Sequence, residues 1–394
     1  MRFPKKLDDK LEKRTGKNAM RTLQTRTHLI DFSSNDYLGI AASTVIFDRV
    51  YQYLLYHNIK ANGATGSRLL SGNHRTYVIL EKTICEFHAS ESATVYNSGY
   101  NANIGFFSAV PQRGDIILYD EFIHASIRDG IKISNAESYK FRHNDLKDLD
   151  KILKYHMTSA NAIAADKSKY RQEIFVVTEA VFSMDGDTPD FIKMIALVKK
   201  NNAFLVVDEA HAVGVFGRQG QGICQDIGME KDVFARIITF GKALGCHGAA
   251  ILGNEKLKQY LVNFSRSFIY TTALPPHTIA TVYEAYHYLK NADGDKKRQA
   301  LKERITFFKK EIIRLQLQHV FITSNSTIQS CIIPGNQKVK NIAQKLQKEG
   351  FDVRPILSPT ISENEERLRF CLHSYNSKEE IRNVLELLAI FVAG

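Results

Sequence analysis

Short apolar runs alternate with stretches of helical periodicity along most of the chain. Each run is only four or five residues long and is followed by polar residues or glycine, which is typical of strands buried on both faces. The runs cover residues 93–96, 115–119, 174–178, 204–208, 236–239 and 249–252. Helices are predicted to begin at Ala102, Ala125 and Phe191. This alternation predicts an α/β fold in which helices cover both faces of a large, mostly parallel sheet.

A different pattern begins near residue 278. Helical periodicity over residues 278–289 leads into a charged segment, 291–298, which we interpret as a hinge before a second helix that ends near Leu315. The remainder alternates short apolar runs at 328–333, 351–354 and 367–372 with helices over 339–349 and from Lys378. The predicted organisation is an N-terminal segment (1–45), a large domain (46–290) and a small α+β C-terminal domain (291–394).

Composition indicates a soluble globular protein with a sizeable core, because 44% of the 394 residues are hydrophobic. No apolar run approaches the roughly 18 residues of a membrane span, and the charged N-terminus differs from a signal peptide, so we expect cytoplasmic residence and no membrane partner. The five cysteines lack C-x-x-C spacing. We therefore expect neither a metal site nor a disulfide framework.

The formal net charge of +11 is concentrated at the N-terminus, where residues 1–27 hold nine Lys/Arg and three Asp/Glu. Leu7, Leu11 and Leu23 among these charges predict a solvated amphipathic helix from Lys5 to Arg26. No zinc-finger, RNA-recognition or basic-zipper pattern accompanies it, so nucleic acid is not an expected partner. The segment is either a plain solvated face or an attraction for anionic substrates, such as coenzyme A phosphates or an acidic acyl carrier protein.

Candidate chemistry follows two of the predicted strands. Asp208 closes one apolar run, His211 comes three residues later, and Lys242 follows another run. Pyridoxal phosphate chemistry needs a lysine that forms a Schiff base and an acid that keeps the pyridine nitrogen protonated; an imidazole could stack on the ring or hydrogen-bond its phenolic oxygen. A solvated lysine and a helix-capping aspartate are the plainer alternatives. The DEAH sequence also occurs in helicases, but those need G-x-x-x-x-G-K-[ST], which the chain lacks.

Eight ordered segments carry a resemblance to a known family. They are FSSNDYLG (32–39), GATGSR (63–68), NSGYNAN (97–103), DEFIHAS (120–126), TEAVFSMDGD (178–187), DEAH (208–211), TFGK (239–242) and IYTTALPP (269–276). With these segments the chain resembles the α-oxoamine synthases, a branch of the fold-type I pyridoxal phosphate enzymes, from about residue 10 to the C-terminus. The resemblance implies a pyridoxal 5'-phosphate-dependent transferase fold, with a large sheet domain and a small α+β domain.

The resemblance also implies roles for residues around the cofactor. Lys242 is expected to form the Schiff base and to take a substrate proton, Asp208 to pair with the pyridine nitrogen, and His211 to contact the ring oxygen. His124 is expected to stack on the ring and to assist in proton handling. The remaining expected cofactor contacts are the backbone amides of Gly99 and Tyr100, the hydroxyls of Thr239 and Ser183, and Thr271 or Thr272, which would reach the phosphate of the neighbouring subunit in a homodimer.

Substrate contacts follow from the same resemblance. Arg369 and Asn35 are expected to bind the amino-acid carboxylate, because arginine offers two parallel donors to a carboxylate. Arg21 and Thr360 are expected to meet the acyl substrate. Some members have an arginine where this chain has Leu357, so Arg354 is a substitute candidate for contacting a distal acyl carboxylate.

Within the family, the chain is most similar to members that condense L-alanine with a pimeloyl thioester in biotin biosynthesis. Sister enzymes with the same chemical residues use glycine and acetyl-CoA, or serine and palmitoyl-CoA, and only the substrate pocket separates them. The sequence leaves open whether coenzyme A or an acyl carrier protein delivers the acyl group.

Overall fold

A computed structural model describes residues 3–21, 23, 28–163 and 172–393 of the chain. The chain divides into two compact units. The larger unit comprises Leu38–Ser183 and Thr188–Arg298, and the smaller unit comprises Met1–Tyr37, Met184–Asp187 and Gln299–Gly394.

Twelve strands are present in the described residues. In chain order they are β1 (Ile30–Asp31), β2 (Ser92–Tyr96), β3 (Ile116–Asp120), β4 (Glu137–Phe141), β5 (Ile174–Glu179), β6 (Phe204–Asp208), β7 (Ala235–Thr239), β8 (Ala249–Gly253), β9 (Ile328–Ile332), β10 (Phe351–Asp352), β11 (Arg354–Ile356) and β12 (Arg367–Cys371).

Fourteen helices are present in the same part of the chain. They are α1 (Lys5–Gly16), α2 (Thr44–Tyr56), α3 (Arg75–His88), α4 (Gly99–Ala109), α5 (Ala125–Ile133), α6 (Leu146–Ile163), α7 (Phe191–Lys200), α8 (Ile223–Asp226), α9 (Glu255–Phe264), α10 (Arg266–Ile269), α11 (Pro276–Lys290), α12 (Ala292–Arg314), α13 (Asn336–Lys348) and α14 (Lys378–Ala393). None of these helices is both long enough and apolar enough to cross a membrane.

The larger unit is built on a sheet with the strand order β2-β8-β7-β6-β5-β3-β4. Within the described sheet, β8 runs antiparallel to both of its neighbours and the other pairs are parallel. Strand β5 is buried along its whole length, which explains its uninterrupted apolar run. One side of the sheet packs on α4 and α5 through Phe106, Phe107 and Ile127. The predicted α/β fold with a large, mostly parallel sheet is therefore confirmed.

The smaller unit contains two small sheets. Strands β11, β12 and β9 form an antiparallel sheet, while β1 pairs in parallel with β10. Its core includes the fully buried rings of Phe32, Phe308 and Phe370, and Phe370 lies 5.8 Å from Phe308 between ring centroids. Aromatic rings at such separations pack edge to face or tilted, which gives this small unit a specific core.

Two local predictions differ from the structure. The segment 291–298 is predicted to be a hinge, but residues 292–298 form the first turns of α12. The side chain of Asn291 accepts hydrogen bonds from the backbone amides of Asp293 (2.9 Å) and Gly294 (3.1 Å), so it caps this helix. The predicted N-terminal helix was also too long, since α1 ends at Gly16; its predicted end, Arg26, lies outside the described residues.

Candidate active site

The carboxyl ends of three neighbouring strands bring the main polar residues of the larger unit together. Glu179 ends β5, Asp208 ends β6 and Thr239 ends β7. Asp208 is the register partner of Glu179 on one side and of Ile237 on the other. Ligands of open α/β sheets bind outside this edge. Asp208 and Thr239, which the sequence predicts to contact the cofactor, therefore lie at the same edge of the sheet.

Asp208 is 6% exposed, and both of its carboxylate oxygens accept hydrogen bonds. The backbone amide of Ala210 donates to Oδ1 at 2.9 Å, and the side-chain amide of Asn103 donates to Oδ2 at 3.0 Å. A buried carboxylate needs such donors to compensate for lost water. The two bonds hold Asp208 in one orientation at the end of its strand.

His124 is the N-cap of α5, so its position is set by the start of a helix. Its Nδ1 accepts a hydrogen bond from the backbone amide of Ser126 at 3.2 Å and lies 2.7 Å from the Ser126 hydroxyl. Burial lowers the pKa of His124, Asp208 raises it, and Lys242 lowers it. The net direction is downward, so the imidazole is neutral at pH 7.

Glu179 is almost fully buried beside these groups. Its carboxyl group accepts a hydrogen bond from the backbone amide of His124. Burial raises its pKa well above the ordinary range, and the neighbouring charge of Asp208 raises it further, against the opposing effect of Lys242. Of the two adjacent carboxyl groups, Glu179 is thus the one whose surroundings favour the protonated form.

Lys242 lies in a tight loop between β7 and β8. Its carbonyl accepts a hydrogen bond from the amide of Gly245 at 2.8 Å, and the amide of Cys246 bonds to the carbonyl of Phe240 at 2.7 Å. Gly245 has a φ of +61°, and a Cβ there would lie 2.3 Å from the backbone nitrogen of Ala41. Only glycine satisfies both conditions. The loop therefore presents the half-buried Lys242 amine from a backbone that is fixed by hydrogen bonds.

The N-terminus of α4 lies against the end of β7. Ser98 caps the helix by accepting from the amide of Asn101 at 3.1 Å. A Cβ on Gly99 would lie 2.6 Å from Cγ2 of Thr239, so the two residues touch closely. Among the described residues, the buried Oγ1 of Thr239 has no hydrogen-bond partner. An unpaired buried hydroxyl beside free helix amides fits the phosphate group of pyridoxal phosphate.

The other predicted cofactor residues differ in their surroundings. His211 is buried in the turn after β6, and Ser183 is half-buried in the loop after β5. The Tyr100 hydroxyl donates to Asp129 at 2.7 Å. Thr271 accepts a hydrogen bond from the side chain of Asn97 at 2.8 Å, whereas Thr272 is exposed.

Two of the predicted substrate residues meet in the smaller unit. Arg369 of β12 donates from Nη2 to Oδ1 of Asn35 at 3.0 Å, and the hydroxyl of Tyr37 donates to the same oxygen at 3.1 Å. The buried Nε of Arg369 has no hydrogen-bond partner in the described part of the chain. A free guanidinium donor next to an amide side chain is suited to binding a carboxylate.

The predicted acyl-binding residues of the smaller unit are exposed. Arg21 donates to the Thr360 hydroxyl at 3.3 Å. Arg354 already makes two contacts with Asp352, at 2.8 Å from Nε and 3.0 Å from Nη2. Because this pairing neutralises its charge, Arg354 is a weaker candidate for a distal acyl carboxylate than its sequence position suggests.

Two polar residues of the larger unit received no role from the sequence. Asn103 and Ser126 are both buried, and Asn103 bonds to Ser126 as well as to Asp208. Asn103 follows Gly99 by one helical turn and Ser126 follows His124 by two residues, so each is adjacent to a predicted site residue. Adjacency alone did not reveal their connection, because it forms between different elements of the fold.

Known proteins share this architecture and much of the sequence. The sequence matches the family described as aminotransferase class I and II over residues 27–388. It is 35% identical over 377 residues to the 8-amino-7-oxononanoate synthase of Emericella nidulans, covering 92% of this chain and 89% of that relative.

Solved structures of such proteins also superpose on this fold. The 8-amino-7-oxononanoate synthase of Francisella tularensis superposes with a TM-score of 0.75 at 28% identity, covering 93% of this chain and 98% of that one. A structure of SPT with PLP as the internal aldimine superposes with a TM-score of 0.87 at 25% identity, covering 100% and 99% of the two chains. The chain therefore belongs to the class I and II aminotransferase family, and its resemblance to the fold-type I α-oxoamine synthases is confirmed.

Proposed function

We propose that this chain condenses L-alanine with a pimeloyl thioester and releases 8-amino-7-oxononanoate, carbon dioxide and a free thiol, as a step of biotin biosynthesis. It is a pyridoxal 5'-phosphate-dependent enzyme of the acyltransferase type, an α-oxoamine synthase. The choice of substrates is supported by the relative named for this reaction at 35% identity. In this chain, the proposal rests on Asp208, Thr239 and Lys242 at the ends of neighbouring strands and in the loop that follows them.

Bound pyridoxal phosphate supplies a ring that takes up the electron pair released when a bond at the substrate α-carbon breaks. Lys242 would hold the cofactor aldehyde, and Asp208 would pair with the ring nitrogen. The first amides of α4, at Gly99 and Tyr100, would hold the phosphate together with the unpaired hydroxyl of Thr239.

Three further side chains would surround the ring. His124 would lie on one face of the ring, His211 would contact its phenolic oxygen, and Ser183 would hydrogen-bond nearby. The buried position of His211 and the fixed N-cap position of His124 support these roles, because a neutral imidazole can contact an aromatic ring and still offer one N–H group.

Lys242 is the base that we assign to the α-proton of alanine. An amine is a weak base for a carbon acid in water, but close placement raises its effectiveness by making the transfer intramolecular. The amine would return a proton to the α-carbon after carbon dioxide leaves. His124, neutral at pH 7, would hydrogen-bond the reacting groups without adding a permanent charge.

The bonds of the reaction balance without any oxidant or reductant. The α-carbon of alanine loses its proton and forms a bond to the thioester carbonyl carbon, while the carbon–sulfur bond breaks and the thiolate takes a proton. The carboxyl group of alanine then leaves as carbon dioxide. The electron pair that remains on the α-carbon takes a proton, which gives the amino ketone.

Arg369 and Asn35 are the proposed contacts for the carboxylate of alanine, and Arg21 and Thr360 are the proposed contacts for the acyl substrate. The free Nε of Arg369 supports the first assignment. We further propose a cytoplasmic homodimer in which Thr271 or Thr272 reaches the phosphate of the neighbouring subunit. Coenzyme A and an acyl carrier protein are both candidate acyl carriers.

Mass spectrometry of products tests the substrate assignment. Purified, cofactor-loaded protein is incubated with L-alanine and pimeloyl-CoA, with L-alanine and a pimeloylated carrier protein, with glycine and acetyl-CoA, and with serine and palmitoyl-CoA. We expect 8-amino-7-oxononanoate with a pimeloyl donor and no condensation product in the last two reactions. Product only with glycine or only with serine would retain the α-oxoamine synthase chemistry and refute the proposed substrates. The Lys242→Ala variant serves as the blank.

A further inference from the structure

One side chain of α4 connects the acid and the imidazole of the site. Asn103, which is 2% exposed, uses its amide nitrogen to donate to Oγ of Ser126 at 2.9 Å and to Oδ2 of Asp208 at 3.0 Å. The Ser126 hydroxyl in turn lies 2.7 Å from Nδ1 of His124. A continuous chain of hydrogen bonds therefore runs from Asp208 through Asn103 and Ser126 to His124.

The direction of these bonds follows from the acceptor at one end. A carboxylate only accepts, so the side chain of Asn103 must turn its nitrogen, and not its oxygen, towards Asp208. The second amide hydrogen then goes to the Ser126 hydroxyl. Because that hydroxyl oxygen accepts from Asn103, its own hydrogen is available for Nδ1 of His124. The donor and the acceptor of every hydrogen bond between Asp208 and His124 are therefore fixed.

This arrangement decides which nitrogen of His124 carries the proton. Nδ1 faces two donors, the Ser126 hydroxyl and the Ser126 backbone amide at 3.2 Å. A proton on Nδ1 would point at the amide hydrogen, so the ring proton belongs on Nε2. His124 therefore offers an N–H group only from the edge of the ring that faces away from Ser126.

We propose that Asn103 is a positioning residue that fixes both the carboxylate of Asp208 and the Nε2-protonated tautomer of His124. The inference rests on the proposed function only in that Asp208 and His124 contact pyridoxal phosphate, and it does not depend on the acyl substrate. Alanine at position 103 would remove the donor to Oδ2 of Asp208 and would leave the Ser126 hydroxyl free to rotate. Aspartate there would place two carboxylates against each other.

The unused oxygen of Asn103 supports a role beyond packing. Its Oδ1 is buried and finds no hydrogen-bond partner among the described residues. A buried, unpaired carbonyl oxygen lowers stability. An apolar side chain at position 103 would avoid this cost, so the asparagine is explained by its two donated bonds and not by the core of α4.

Cofactor binding provides the first test. The dissociation constant for pyridoxal phosphate is measured by absorbance titration of the cofactor-free wild type, Asn103→Ala, Ser126→Ala and the double variant. We expect Asn103→Ala to bind about tenfold more weakly, the effect of losing one hydrogen bond to a charged group. The double variant should be little weaker than Asn103→Ala, because the two residues act in series.

Phe106→Leu is the matched control for lost stability, since Phe106 is a fully buried, apolar core residue of the same helix and cannot form hydrogen bonds through its side chain. Equal dissociation constants for Asn103→Ala and Phe106→Leu would overturn the positioning role, as would additive effects in the double variant. A wild-type protein that binds no pyridoxal phosphate would instead refute the assigned cofactor site, so the two failures are distinguishable.

The tautomer provides a second test that needs neither activity nor cofactor. Long-range ¹H–¹⁵N spectra of protein labelled with ¹⁵N-histidine separate protonated from unprotonated ring nitrogens, and a His124→Gln spectrum identifies the His124 signals. We expect a single form with unprotonated Nδ1 in the wild type and a second, Nδ1-protonated form in Asn103→Ala. A protonated Nδ1 in the wild type, or an unchanged spectrum in the variant, would refute the inference.

Discussion

Replacing Thr239 with valine should weaken cofactor binding while it stabilises the cofactor-free protein. Valine keeps the shape of threonine but exchanges the hydroxyl for a methyl group. The Thr239 hydroxyl is buried and has no hydrogen-bond partner in the described residues, whereas its Cγ2 atom contacts the start of α4 beside Gly99. The substitution therefore removes a group that the cofactor-free protein does not use and keeps the packing that it does use.

The two effects have different sizes and opposite signs. An unpaired buried hydroxyl costs about 1–3 kcal/mol of stability, so removing it should raise the free energy of unfolding of the cofactor-free protein by about 1 kcal/mol. A hydrogen bond to a charged acceptor contributes about 1.5–3 kcal/mol, which corresponds to about tenfold to hundredfold in a dissociation constant. Thr239→Val should thus raise the dissociation constant for pyridoxal phosphate by that factor.

Urea unfolding of the cofactor-free protein and titration with pyridoxal phosphate measure the two quantities separately. Thr239→Ser is the matched control, because it keeps the hydroxyl and removes only the methyl group that touches α4. We expect serine to retain most of the affinity. A valine variant that is less stable than the wild type and binds the cofactor equally well would show that the hydroxyl has a structural partner and no role at the phosphate.

Four further substitutions test the site and the smaller unit. Lys242→Ala should leave a folded protein that binds pyridoxal phosphate and forms no product; turnover in this variant would refute the assigned lysine. Asp208→Asn should lower turnover by at least about a hundredfold, since removing the charge at the ring nitrogen weakens electron uptake; full activity would contradict the pairing. Arg369→Lys should raise KM for L-alanine about tenfold with a smaller change in KM for the acyl donor, because lysine lacks the paired donors; equal changes would exclude a carboxylate contact. Burial raises the pKa of Asp31, but the charge of His373 and nearby hydrogen bonds lower it by more, so that the pKa is about 2. This carboxylate therefore contributes stability above its unfolded pKa that is lost as pH falls towards 2, about 1–2 kcal/mol after allowance for partial exposure. Asp31→Asn should flatten the stability profile below pH 4, and an unchanged profile would contradict this assignment.

The central sheet was predictable because burial on both faces leaves a direct record in the sequence. Strands β5 and β6 are continuous apolar runs, and their ends at Glu179 and Asp208 match the predicted ends closely. Strand β4 was missed for the opposite reason. It lies at the edge of the sheet, four of its five residues are exposed, and it is a strand because Glu137 pairs with Ile116 of β3. Such pairing depends on tertiary neighbours and leaves no apolar pattern.

The site was predictable to the extent that its residues follow strand ends in recognisable segments. Asp208, Thr239 and Lys242 are of this kind. The hydrogen bond between Asn103 and Ser126 was not predictable, because the two residues lie on different helices and meet only after both helices pack on the sheet. A sequence shows that a residue is polar at a buried helical position, but the partner that justifies the burial is fixed by the fold.

The surroundings of the two adjacent carboxyl groups, Glu179 and Asp208, differ in a way that favours a proton on Glu179 and not on both. Glu179 and Asp208 are register partners on neighbouring strands, and two buried negative charges so close would repel each other strongly. Burial and the charge of Asp208 raise the pKa of Glu179 well above the ordinary range, which favours the protonated form of Glu179. Asp208 receives the two donors, Ala210 and Asn103. Removing Asn103 therefore takes away one of the two hydrogen bonds that hold the carboxylate proposed to face the cofactor nitrogen, which couples the positioning role of this asparagine to the electron-accepting power of the ring.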